Sequence, residues 1–423
     1  MSECDASNPI SPEDDWHYRN RGRRRLGARR LLLAGLLCGS LLAPLALAQP
    51  LLELLGLTPV SAVPVDREYI EYVDLSRFLL ESDEWWRQLA LNPGEGDLLL
   101  SLEASPELLG LDIRGAQLLA FGQVPTRGYL LRVAYDPELL ARAVGARGYH
   151  AVERRGVHLY VRGDGCGDID LSAADPGDLF SGRLGKAVRL AALPSALAGA
   201  CDPNVSDDIL AAFAGEALSL GDAPAFRELA EMIGDARDLR LEQGSPVKAL
   251  LGRSYRELAE AALDWGDPAQ ALLFGPGTGA YLGRVDPNAL FQIDPDLPAN
   301  DQRALLSKLM DADVSQEPLV PYGAALLADV GPGTHLLIGL HYATQESAEA
   351  AAPVLSARVE AFLAEKFAEL AHSAHTHVRQ LDRHDEATSV VIVEVTLTTA
   401  GNTAFRDLIG LLLRGEFTPV ALP

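Results

Sequence analysis

Apolar and polar positions follow nearly the same order in two separated stretches of this chain. Gly115-Ala116-Gln117-Leu118-Leu119-Ala120 returns as Gly323-Ala324-Ala325-Leu326-Leu327-Ala328, an offset of 208. Each copy then passes a Gly/Pro turn into a second apolar run, Tyr129 to Tyr135 in the first and Leu336 to Tyr342 in the second. Helical spacing follows in both. Asp136 supplies an N-cap and Pro137 a first-turn proline in the first copy. In the second, Leu355, Val359, Phe362, Leu363, Phe367 and Leu370 fall on one stripe. Each copy closes on a strand: Val157-His158-Leu159-Tyr160-Val161, and the alternating Val391, Val393, Val395, Leu397 with Glu394, Thr396 and Thr398 on its other face. Strand–strand–helix–strand used twice predicts an α+β fold of two similar units, with antiparallel sheets and helices packed on one face. Identity between the copies is slight, so two unrelated amphipathic hairpins are the competing explanation.

The remaining pattern is mostly helical. A helix is expected over 74–89, burying Leu75, Phe78, Leu79, Trp85 and Leu89. Another follows Ser206 as its cap, and a third starts at Asp222 with Phe226, Leu229, Ala230 and Ile233 together. Ser254-Tyr255-Arg256-Glu257 reads as a capping box for a fourth. Residues 275–298, rich in Gly, Pro and Asp, read as a connection with a short strand. Gly244-Ser245-Pro246 suggests a domain boundary, dividing the chain into 49–245 and 246–423.

Before that body lies a leader. Residues 1–30 hold a polar, acidic start and then seven arginines between Arg19 and Arg30, followed by the unbroken apolar stretch 31–48. Positive charge stays inside while the apolar segment enters the bilayer. As a helix the stretch spans roughly 27 Å, slightly short of a hydrocarbon core of about 30 Å. Pro44 and the alanines of Leu45-Ala46-Leu47-Ala48 favour a cleaved signal over an uncleaved anchor. Either way the expected location is extracytoplasmic (periplasmic, secreted or anchored), with membrane contact only through 31–48 if the leader stays.

Charge narrows the partners. The chain carries a formal net charge of −23, and so acidic a surface repels phosphate backbones, which excludes nucleic acid as an expected partner. Cysteine usage fits export. Cys4 and Cys38 belong to the leader, leaving Cys166 and Cys201 as an even pair in an oxidising compartment. A disulfide between them is expected, with two unpaired buried thiols as the alternative.

Ser219-Leu220-Gly221 before Asp222-Ala223-Pro224-Ala225-Phe226-Arg227, and Leu319-Val320-Pro321-Tyr322-Gly323-Ala324 leading to His341-Tyr342-Ala343, resemble segments of uncharacterised exported bacterial proteins and lipoproteins. That resemblance implies no activity, catalytic residue or cofactor.

Histidine is the richest chemical signal. His372, His375 and His377, with His384 and Asp382 near, crowd the end of the long helix and the approach to the final strand. H-x-x-H-x-H spacing puts two imidazoles on one metal ion through either a helical or an extended segment. A solvated helix terminus explains the same residues. Asp164-Gly165-Cys166-Gly167-Asp168 resembles a calcium loop but has Asp175 where the bidentate Glu belongs, so it reads as a turn. Gly275-Pro276-Gly277-Thr278-Gly279 lacks the Lys-Ser/Thr of a phosphate loop, and the sequence holds no Gly-x-Ser-x-Gly, His-Glu-x-x-His or Cys-x-x-Cys. No catalytic residue is assigned and no cofactor is expected, a metal of unassigned identity being the exception. The favoured expectation is a non-enzymatic envelope module that binds a partner protein or a small apolar ligand between its halves. The alternatives are a metal-dependent enzyme or metal-binding protein using the histidines, and a structural or assembly protein at the cell surface.

Overall fold

The computed structural model describes residues 50–63, 69–78, 89, 110–122, 127–167, 170–174, 178, 180, 185–221, 246–275, 319–330, 335–368, 371–383, 386–397 and 403–413. Helix α1 (Pro50–Leu55) leads to strand β1 (Tyr69–Asp74), and the hairpin of β2 (Gln117–Phe121) and β3 (Gly128–Arg132) leads to α2 (Pro137–Gly145). Two further hairpins follow, β4 (His150–Arg154) with β5 (Val157–Arg162) and β6 (Val188–Ala192) with β7 (Leu197–Ala200), then α3 (Pro203–Phe213). Next come α4 (Pro246–Ala262) and β8 (Gln270–Phe274), then β9 (Ala324–Val330), β10 (His335–Tyr342) and the long α5 (Gln345–Lys366). The described chain closes with β11 (Ala371–Arg383), β12 (Glu386–Leu397) and α6 (Ala404–Leu413). This is an α+β fold.

All twelve of these strands lie in one antiparallel sheet, ordered β11-β12-β10-β9-β8-β1-β2-β3-β7-β6-β5-β4. From the β1–β8 pair outward, one side runs β1, β2, β3, β7, β6 and the other runs β8, β9, β10, β12, β11. The 208-residue offset holds as far as the helix caps. Asp136 accepts hydrogen bonds from the backbone N–H of Glu138 and Leu139 to start α2, and Thr344 accepts one from Ser347 N–H to start α5. The third strand expected in the first copy, Val157 to Val161, is β5. It is separated from β3 by β6 and β7, so β7 holds the place beside β3 that β12 holds beside β10.

Neighbouring positions along most strands are both apolar, so the sheet needs cover on both faces. On β2, Leu118 and Ala120 join one core while Leu119 and Phe121 join the other. On β12, Val391, Val393 and Val395 face the first core, and Val390 and Ile392 the second. The first core takes Leu140 and Val144 of α2, the stripe of α5 and Phe405 and Leu408 of α6. The second takes Leu51 and Leu54 of α1, Ile209 and Leu210 of α3, and Tyr255 and Leu258 of α4. Helices therefore lie against both faces, a correction to the one-face expectation. That expectation followed from the strand–strand–helix–strand order, which leaves the second face open, whereas the strands are apolar on both faces.

Local starts also differ from expectation where side chains have a second use. α3 begins at Pro203 with Asp202 accepting from Asn204 N–H, and Ser206 is buried inside it. Asp74 ends β1 and accepts from Ser76 N–H to start a 3-10 turn, Leu75–Arg77. Leu75 and Phe78 are buried as expected, whereas residues 79–88, with Trp85 and Trp86, lie outside the described residues. So do residues 1–49, the helix expected from Asp222, the boundary at 245 and the connection over 276–298. Cys166 follows β5 and Cys201 follows β7, and the two are joined as a disulfide with Cα atoms 4.8 Å apart. Among the described residues no helix is long and apolar enough to cross a membrane.

Candidate functional site

Ser254 and Glu257 are three residues apart on α4, so one helix face turns both toward the sheet. His341 meets them from β10, on the same strand face as Leu337. Ser254 Oγ is 3.0 Å from His341 Nδ1, and His341 Nε2 is 2.5 Å from Glu257 Oε2. The Thr388 hydroxyl of β12 donates to the same Oε2 at 2.9 Å. A carboxylate that accepts from Nε2–H leaves Nδ1 to accept the Ser254 hydroxyl proton. The network is sealed: Glu257 is 1% exposed, Ser254 4% and His341 6%.

Hydroxyl, imidazole and carboxylate in series are the parts of nucleophilic catalysis. Their surroundings here favour a structural role. Gly323 lies so near that a Cβ on it would stand 3.1 Å from Ser254 Oγ and 3.2 Å from His341 Nδ1. Its own N–H donates to the His341 carbonyl oxygen at 2.8 Å, so that donor is spent. The arrangement ties α4 to β10 and β12 through polar groups that would be costly to bury singly. Sequence reasoning read Ser254 and Glu257 as a capping box, but α4 starts eight residues earlier, at Pro246. The usable signal was His341, a lone imidazole in an apolar strand that requires a buried partner.

The histidines read as a metal set fall differently. The long helix ends at Lys366, and residues 371–383 are the edge strand β11 instead of a helix terminus. His372 sits at the register shift between Ala371 and Ser373; its side chain, and all of His384, lie outside the described residues. His375 and His377 are both exposed and share one face. His377 Nε2 is 3.6 Å from Glu394 Oε2, and His335 of β10 puts Nδ1 3.0 Å from Oε1 of the same carboxylate. Sequence reasoning did not include Glu394 in the set, because strand pairing alone brings it there. Among the described residues no three His, Cys, Asp or Glu side chains already stand where they would hold a metal ion.

Burial tunes other groups. The Glu71 carboxyl is raised above its ordinary value by desolvation, with the adjacent Arg127 guanidinium pulling it part of the way back. Burial pushes the Tyr322 and Tyr342 phenols well above the tyrosine range. The buried Asp178 carboxylate accepts from Tyr149 Oη and from Arg162 Nη1 at 2.5 Å.

No family model matches the chain, and no curated protein matches it. Among solved structures, crystal form III of TP0453 is similar at 11% identity and a TM-score of 0.32, covering 84% of this chain and 96% of that one.

Proposed function

We propose that the chain is an exported cell-envelope protein whose body is a non-enzymatic binding module for a partner protein or a small apolar ligand. The observation that carries the reading is the Cys166–Cys201 disulfide, in a chain whose first 48 residues run from clustered arginine to an unbroken apolar stretch. Such bridges persist in oxidising compartments and are rare in reducing ones. The sealed Ser254–His341–Glu257 network adds support, because the most catalysis-like constellation described sits where a substrate has no approach.

Native mass spectrometry of the protein taken from its own cell envelope tests this. The expected result is the mass of a disulfide-bonded chain carrying an apolar adduct or a bound partner. Recovery of the full-length, reduced and unliganded chain from the cytosol would overturn it.

A further inference from the structure

Where β10 ends, two hydroxyl-bearing residues face each other on the side of the sheet that carries the first core. Tyr342 of β10 is paired directly with Ser389 of β12. The alternation that sends Leu340 and Val391 into that core sends these two there as well. Both are 0% exposed, and among the described residues neither Tyr342 Oη nor Ser389 Oγ has a hydrogen-bond partner. A buried hydroxyl left unmet is costly, and two of them on one strand pair mark a place where a polar group belongs. A cation is at hand. Burial raises the Tyr342 phenol while the Arg358 guanidinium of α5 pulls it back, so that charge lies within electrostatic reach. Burial also raises Tyr322, with Tyr342 adding to the rise, which brings a second phenol to the same spot. α5 starts three residues beyond Tyr342, and its first turns offer Ala348 and Ala351 to the first core before Leu355 and Val359 follow. Such short side chains leave room at that end which longer ones would fill. Ala343 and Thr344 are exposed, so the hydroxyl pair lies at the rim of the sheet.

We propose that Tyr342 and Ser389 bind the carboxylate head of a single-chain fatty acid, whose tail enters the first core beneath α5. The inference rests on the ligand-capture reading and names the class of ligand and its anchor. A carboxylate accepts from both hydroxyls and so supplies the acceptor that each lacks. Arg358 meets its charge, and Leu340, Leu355 and Val391 offer the tail an aliphatic surface. An alcohol of the same length brings one oxygen and no charge, and an alkane leaves both hydroxyls unmet. The chain's net charge of −23 opposes an anion at long range, so burial of the tail supplies most of the affinity and the head supplies the selectivity. The site uses no residue of the Ser254–His341–Glu257 network, which lies on the other face of the sheet.

Titrating the delipidated full chain with sodium laurate by calorimetry, and with dodecanol in parallel, tests the assignment. One equivalent of laurate is expected, bound about tenfold more tightly than dodecanol, because hydrogen bonds to a charged acceptor are the stronger ones. Tyr342→Phe and Ser389→Ala should each weaken laurate by about tenfold. Neither change should lower the melting temperature of the ligand-free chain, since each removes a hydroxyl that has no partner there. A lower ligand-free melting temperature in both variants would show the hydroxyls already engaged and overturn the site. Laurate bound with unchanged affinity by the double variant would also overturn it, yet leave the ligand-capture reading standing, as would dodecanol bound as tightly as laurate. Uptake of neither compound by the parent chain would overturn the site and count against ligand capture as well.

Discussion

His341 holds a buried carboxylate in place, and its removal should cost more than the removal of either hydroxyl beside it. His341→Ala takes a hydrogen-bond donor from the Glu257 carboxylate, which is 1% exposed and keeps the Thr388 hydroxyl, and under-satisfying a buried carboxylate costs about 3 kcal/mol. Thr388→Val removes a hydrogen bond to a carboxylate, worth about 1.5 kcal/mol, and Ser254→Ala removes the hydroxyl that meets His341, worth about 1 kcal/mol. Urea midpoints should fall in that order; equal losses for Ser254→Ala and His341→Ala would mean that Glu257 is not the group being held. Glu71 gives a pH signature. Its folded carboxyl binds a proton more tightly than its ordinary value of 4.5 implies. Its contribution to stability is therefore fully present below pH 4.5 and is lost as pH rises through the higher folded value. Glu71→Gln stays neutral throughout, so its stability relative to the parent should be greater at pH 7 than at pH 4. Denaturation curves at the two pH values check the sign, and an equal difference at both would contradict it.

Within the elements, a missing side chain can matter as much as a present one. Gly199 of β7 stands opposite Tyr129 of β3, and a Cβ there would lie 2.1 Å from the tyrosine ring. Gly199→Ala should cost about 1–3 kcal/mol through overpacking in a filled core, read as a drop in melting temperature that Tyr129→Ala partly reverses in the double variant. The disulfide acts on the same hairpins: with a sequence separation of 35, opening it should cost roughly 4 kcal/mol in the chain-entropy account. Paired Cys166→Ser and Cys201→Ser changes test that figure by denaturation. Elements with a local signature were legible in the sequence: Asp136-Pro137 starts α2, the stripe from Leu355 to Phe367 is buried, and the cysteines pair. Spacings with two physical uses were not. Ser-x-x-Glu serves a helix start or one face of a helix interior equally well, and at Ser254 the interior use holds. β11 was illegible for a different reason. Its run with three histidines lacks apolar alternation, and pairing with β12 imposes its extended form.

At the scale of the whole sheet, the central step is the antiparallel β1–β8 ladder, which pairs Tyr69 with Phe274 through Val73 with Gln270. About 200 residues separate the two strands, so no local pattern announces the pairing, and closing so long a loop carries an entropic cost that only the finished core offsets. Its consequence bears on the division at residue 245. Ile70 and Tyr72 from one half, and Ala271 and Leu273 from the other, share the second core, and burying a side chain the size of Ile70 or Leu273 is worth about 1.5–3 kcal/mol. Exposing even three of them would remove about 5 kcal/mol or more, which is comparable with the whole stability of many domains. Each half expressed alone would also present β1 or β8 as an open, apolar edge. Fragments 49–245 and 246–423 should therefore each lack a cooperative urea transition, while their co-expression should return a co-eluting complex with the near-ultraviolet dichroism of the intact chain. A cooperative transition in fragment 49–245 alone would show that the ladder joins two self-sufficient domains. Failure of the fragments singly, with recovery together, would show that the sheet is the folding unit and the repeat within it a pattern of strand order.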